Sequence, residues 1–116
     1  MTTTVIDEEQ LDALFTALSD RTRRDIVARL SAGEATVKEL AGPYAMSLQG
    51  VSQHIRVLER SGLISQGRHR QTRPCRLEPA ALEAALSWIE ESRRTWSDRM
   101  DRLETHLADL QERGDR

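Results

Sequence analysis

Apolar residues recur along this chain mostly at helical spacing. Leu11, Leu14, Phe15 and Leu18 fall on one face, and Asp7 followed by Gln10 resembles a capping box, so the pattern predicts a first helix over about Glu8 to Ser19. Asp20 can cap a second helix that turns Ile26, Val27 and Leu30 inward and ends at Gly33. Thr36 and Glu39 have the T-x-x-E spacing of a capping box ahead of the short run VKELA, which Gly42 and Pro43 must stop. Ser47 then caps a helix to about Ser61, with Leu48, Val51, Ile55 and Leu58 as its apolar stripe and Gly62 as a left-handed terminator.

After Gly62 the period changes. LISQGRHRQTRPCRL has apolar ends at Leu63, Ile64 and Leu77, a polar tip at Arg68 to Thr72, and too few apolar positions for a helix. It reads as a two-stranded β-hairpin, in which Pro74 is tolerable because both strands are edges. A last helix is expected from Pro79 to about Glu112, with the remaining QERGDR as a frayed tail. Along that helix Trp96, Met100, Leu103, Leu107 and Leu110 alternate steps of four and three, the seam of a helix pair, with Arg93 interrupting it before Ile89 and Leu86 resume it. The expected architecture is one mainly α domain over residues 1–116, in the order α-α-α-α-β-β-α: a helix-turn-helix followed by a wing.

Composition narrows the class. The chain has 116 residues, 38% hydrophobic and 31% charged, with one Phe and one Tyr, which suits helices with broad solvated faces. A single cysteine forms no internal disulfide, and neither a leader-like segment nor an apolar run of bilayer length is present, so a cytoplasmic location without membrane association is expected. The net charge of -2 hides an uneven distribution: residues 1–20 carry five acids and no Lys or Arg, residues 21–76 eleven bases against four acids, and residues 77–116 six bases against ten acids. A basic middle between acidic ends is the footprint of an anionic partner touched by one part of the chain.

The helix SLQGVSQHIRVLERS shows how such contact would work. Its apolar stripe serves its own core, while Gln49, Ser52 and Gln53 present uncharged donors and acceptors that can read base edges, a Gln amide pairing bidentately with adenine. Arg56 and Arg60 suit phosphates, as do Ser47 and the exposed N–H groups of the first turn. Gly50 costs helix stability and gains close approach of another surface. His54 reads as a packing or phosphate-facing residue, and the wing adds Arg68, His69, Arg70 and Arg73 as phosphate or minor-groove contacts.

The segment LSDRTRRDIVARLSAGEATVKELAGPYAMSLQGVSQHIRVLERSGLI resembles the DNA-binding core of ArsR-type winged-helix repressors. Leu18, Asp20, Thr22, Arg23, Arg24, Ile26 and Leu30 match a motif ahead of the helix-turn-helix; Ser52, His54, Leu58, Gly62 and Leu63 match one in and after the recognition helix. The resemblance covers Leu11 to Leu77 and, more weakly, the last helix. It implies double-stranded DNA as partner and a homodimer whose first and last helices meet, with Leu11, Leu14, Phe15, Leu18, Trp96, Met100, Leu103 and Leu107 as candidate interface residues. A repressor occupying a pseudo-palindromic operator follows from it.

Departures from the family bear on the effector, which the residues do not name. Metal-sensing members resemble one another in a thiol-bearing E-L-C-x-C segment or in Asp/His pairs on the last helix; here the first reads Glu39, Leu40, Ala41, Gly42, Pro43, and His106 is alone on the second. No metal site and no cofactor are expected. Cys75 reads as a buried filler, against the alternative of a redox switch beside Arg73 and Arg76. Trp88 and Trp96, at helical spacing beside Ile89 and Met100, read as interface core, against the alternative of lining an effector pocket. No nucleophile–base set, phosphate loop or ligand cluster points to an enzyme. A protein-interaction module with this fold is the remaining alternative, and it would need neither the basic middle nor the amide-rich helix.

Overall fold

The computed structural model describes residues 7–67 and 73–114. Among these the order is α1 (Glu8–Ala17), α2 (Arg21–Leu30), β1 (Ala35–Thr36), α3 (Val37–Ala41), α4 (Leu48–Arg60), β2 (Ile64–Gln66), β3 (Pro74–Leu77) and α5 (Pro79–Gly114). The chain divides into two compact units, Met1–Ala85 and Leu86–Arg116. None of its described helices is long and apolar enough to cross a membrane.

Local chemistry accounts for the helix boundaries of the first unit. Asp7 accepts from the Gln10 backbone N–H at 2.7 Å, and Asp20 from that of Arg23 at 3.1 Å, each satisfying a donor that the first turn leaves without an intrahelical partner. At α3 both halves of the capping box are present, Thr36 Oγ1 accepting from the Glu39 N–H and Glu39 Oε1 from the Thr36 N–H. Ser47 caps α4 through the Gly50 N–H. At its other end Gly62, with φ of 85°, allows the Leu63 N–H to reach the Leu58 carbonyl and the Gly62 N–H that of Glu59, a Schellman motif.

One core joins these elements: Leu14 and Ala17 of α1, Ile26 and Leu30 of α2, Leu40, and Val51, Ile55 and Leu58 of α4 are buried together with Ile64, Cys75, Ala81 and Ala85. Each large side chain so enclosed contributes about 1.5 to 3 kcal/mol of transfer free energy. Leu11 and Leu14, expected at a subunit interface, are committed to this protomer, with 6% and 0% exposure. Leu48, expected on the buried stripe, is 55% exposed, because the first turn of α4 extends beyond the core that Val51 begins to enter.

The sheet also departs from the expected two-stranded hairpin. It has three antiparallel strands in the order β1-β3-β2, with Thr36 opposite Pro74 and Gln66 opposite Cys75. β3 is therefore central, and Pro74 is tolerated as its first residue, where its carbonyl still accepts from the Gly67 N–H at 2.8 Å.

In the second unit α5 continues through Gly114, two residues past the expected end and into the segment read as frayed. Trp96, Met100, Leu103, Leu107 and Leu110 are all exposed there.

Candidate nucleic-acid interface

The α4 helix sorts its side chains into four sectors. Val51, Ile55 and Leu58 enter the core; Gln49, Gln53, Arg56 and Arg60, all exposed, stand on the side away from it. Neither Arg56 nor Arg60 forms an ion pair among the described residues, so both guanidinium groups are presented to solvent. One flank carries the half-buried Ser52 beside the sheet, and the other carries His54 beside α1 and α2.

Between α4 and the sheet lies an open cleft of about 370 Å³, lined by Arg56, Glu59, Gln66, Gly67 and Arg73. Gln66 Nε2 donates to Glu59 Oε2 at 3.0 Å, tying the root of the wing to the recognition helix. The amide holds the carboxylate in place, leaving Arg56 and Arg73 as the two cationic walls. Arg68, His69 and Arg70, expected at the wing tip, lie outside the described residues.

His54 has an intramolecular partner. Its Nδ1 is 3.2 Å from Arg23 Nη1 and 3.8 Å from Asp20 Oδ2. An arginine only donates, so this contact requires Nδ1 as the acceptor and leaves the ring proton on Nε2. Arg23 also donates through Nε to the Ala17 carbonyl at 2.7 Å and through Nη2 to that of Thr16 at 3.0 Å. One guanidinium thus closes the end of α1 and braces α4. Asp20 is held below its ordinary carboxylate value chiefly by the Arg23 backbone N–H, against a smaller upward effect of burial, with the Arg23 charge adding to the lowering.

A second brace sets the turn before α4. Arg29 donates to the Leu40 carbonyl at 2.8 Å and the Glu39 carbonyl at 3.1 Å, its guanidinium 5.6 Å from the centre of the Tyr44 ring, while the Tyr44 hydroxyl donates to Asp25. Burial, followed by the Asp25 hydrogen bond, pushes the Tyr44 phenol up. Sequence reasoning missed this unit; Arg29 and Tyr44 are fifteen positions apart and belong to no shared motif.

Gly50 does not answer to a packing need. A Cβ there would meet Ser47 Oγ at 3.4 Å and Met46 Sδ at 3.6 Å, ordinary contacts. Cys75 is fully buried, and burial, then the Glu59 charge, raises its thiol to about 11, so the thiolate a redox switch needs is suppressed at neutral pH. Among the described residues no group of three or more His, Cys, Asp or Glu side chains is gathered to hold a metal ion.

A capped helix with a polar outward face, a short helix and turn before it, and a sheet behind it define a winged helix-turn-helix DNA-binding protein. Residues 18–66 match a helix-turn-helix domain family. The HTH-type transcriptional regulator Rv2034 of Mycobacterium tuberculosis is 40% identical over 73 residues, 63% of this chain and 68% of that protein. The transcriptional repressor SdpR of Bacillus subtilis is 29% identical over 79 residues, 68% of this chain and 88% of that protein. The crystal structure of the ArsR family transcriptional regulator RHA00566 superposes with a TM-score of 0.74 at 40% identity, covering 79% of this chain and 95% of the other. The chain belongs to the ArsR family of winged helix-turn-helix transcriptional regulators.

Proposed function

We propose that this regulator acts in the cytoplasm as a homodimeric repressor, each copy placing α4 in the major groove of one half of a pseudo-palindromic operator. The observation that carries the reading is the outward face of α4, where two amides, Gln49 and Gln53, precede two cations, Arg56 and Arg60, along one exposed line. The amides read bases, while Arg56, Arg60 and Arg73 grip the backbone on the wing side. Ser47 and the first turn add phosphate contacts, and Gly50 lets the backbone of α4 approach the groove. Leu48, exposed beside Gln49, adds an apolar contact suited to a thymine methyl group. His54, joined to Arg23, sets the tilt of the helix from its other flank.

SdpR is a repressor, and the similarly folded winged helix-turn-helix domain Mb0332 of Mycobacterium bovis is homodimeric; both fit this reading. Dimerisation on this reading draws on the exposed seam of α5 and on Phe15 and Leu18 at the end of α1. The winged-helix fold serves here as a reader of DNA rather than of protein because the α4 face is amide-rich and flanked by a cationic cleft. Selection of DNA fragments by the purified protein, followed by binding of the Gln53→Ala variant, tests the proposal. A two-fold symmetric site should emerge, and the variant should lose roughly 1 to 3 kcal/mol on that site while keeping its affinity for random DNA. Equal losses on both would reduce Gln53 to a positioning residue.

A further inference from the structure

Leu48 is the first residue of α4 and is 55% exposed. A single apolar residue at a surface is ordinary, and what distinguishes this one is its place. Side chains of a helix lean toward its N-terminus, so Leu48, directly after the cap Ser47, projects past the start of α4 rather than across its flank. In a helix-turn-helix that end of the recognition helix is the one that meets base edges. Gln49, whose amide suits adenine, is the next residue.

The protomer itself gives Leu48 no use. Among the described residues it belongs neither to the core nor to the partly buried side chains packed against it. Met46, the other exposed large apolar residue at this end, lies back over the first turn, its Sδ 3.6 Å from where a Cβ on Gly50 would stand. Leu48 is left pointing outward. An isobutyl group has no donor, acceptor or charge, so it can neither hold a phosphate nor pair with the polar edge of a base. The apolar group that base edges offer in the major groove is the methyl on C5 of thymine. 5-Methylcytosine carries the same methyl on the same ring carbon, whereas uracil and cytosine carry a hydrogen there.

We infer that Leu48 reads the 5-methyl group of one pyrimidine in each half-site, so that the regulator prefers thymine to uracil and 5-methylcytosine to cytosine at that position. The inference rests on the DNA reading above and adds a dependence of binding on base methylation. Methylating one cytosine there tightens binding with base pairing and phosphates unchanged.

The test uses the full-length chain and the DNA it selects, remade with one base exchanged at a time. Uracil in place of one thymine of a half-site should weaken native binding roughly fourfold, the worth of one buried methyl, and the exchange in both half-sites roughly fifteenfold. With a C·G pair installed at the same position, 5-methylcytosine should bind more tightly than cytosine by the same factor. Leu48→Ala should lose both preferences while keeping its helicity, because Leu48 stands outside the core. Its salt slope should match that of the native chain, because a methyl carries no charge. No thymine whose exchange matters to the native chain, or a preference that persists in Leu48→Ala, overturns the inference. So does a preference for thymine over uracil with none for 5-methylcytosine over cytosine, since the methyl alone would then not be what is read. Each of these outcomes leaves the DNA reading standing; that reading fails only if the native chain selects no DNA.

Discussion

The arginines of α2 and those of α4 are the same residue type put to opposite uses. Arg23 and Arg24 turn back onto the end of α1, Arg24 donating to the Leu18 carbonyl at 2.8 Å, and Arg29 reaches forward to the end of α3. Each answers helix carbonyls that the preceding turn leaves without an intrahelical partner. Arg56 and Arg60 answer nothing among the described residues and face outward. A count of eleven bases in residues 21–76 treats all of them as attraction for an anion. Three of them, Arg23, Arg24 and Arg29, are instead engaged in holding the helices of the first unit together.

Removing a brace should therefore have the largest effect and should act on folding. Arg23→Ala takes away donors to Thr16, Ala17 and His54 at once, and we expect a loss of about 2 to 3 kcal/mol in urea unfolding. The slope of log affinity against log salt should stay as it was for molecules that remain folded. Arg23→Lys should recover little, because an ammonium cannot reproduce the fixed fork that spans three acceptors. A stable Arg23→Ala protein with a shallower salt slope would move Arg23 to the DNA surface and erase the contrast between the two helices.

Arg56→Ala should give the opposite signature. Stability should change by less than about 0.5 kcal/mol, as for exposed residues generally, while the salt slope becomes shallower by about one phosphate contact. A measurable loss of stability with an unchanged slope would place Arg56 among the braces.

The same contrast explains what was legible in the sequence. Caps are local chemistry: Asp7, Asp20, Thr36 with Glu39, and Ser47 lie within three residues of the groups they satisfy, and the starts of α1 to α4 follow from them. The outward face of α4 is legible because a 3.6-residue period fixes which residues oppose Val51, Ile55 and Leu58. Long-range pairings leave no such trace. The two residues of β1 become a strand only by meeting Cys75 and Pro74, and Arg29 finds Tyr44 only once α3 and its turn are in place. Leu48 has the right spacing for burial but stands beyond the end of the core, and Leu11 and Leu14 face the protomer's own α4 side rather than solvent because an apolar face does not say which apolar face covers it.

Gly50→Ala separates folding from recognition within α4 itself. An added methyl meets only ordinary contacts in the free protein, so the variant should be more stable by about 0.5 to 1 kcal/mol from helix propensity alone. Operator binding should nevertheless weaken if, as proposed, the backbone of α4 approaches the groove at Gly50. Unimpaired binding by a more stable Gly50→Ala protein would show that the glycine serves neither role.

The smallest effect belongs to the charge of Asp20, which sits where the α2 brace meets His54. Its carboxyl is held below the ordinary carboxylate value of 3.8, first by the Arg23 backbone N–H, against the opposing effect of burial, and further by the positive charge of Arg23. A carboxylate whose folded value is depressed contributes stability that is present above its unfolded value and disappears as pH falls through the folded one. Asp20→Asn keeps a good capping acceptor but removes the charge. The native chain should therefore be slightly the more stable of the two at neutral pH, and the difference should narrow only below pH 3.8. Because the group lies near the surface, solvent screens the charges around it and the gap should be small. Urea unfolding of both chains at neutral and acid pH is the measurement. A difference that stays constant through that window would mean that the cap holds α2 through hydrogen-bond geometry alone, leaving the Arg23 guanidinium to brace α4 without help from the charge beside it.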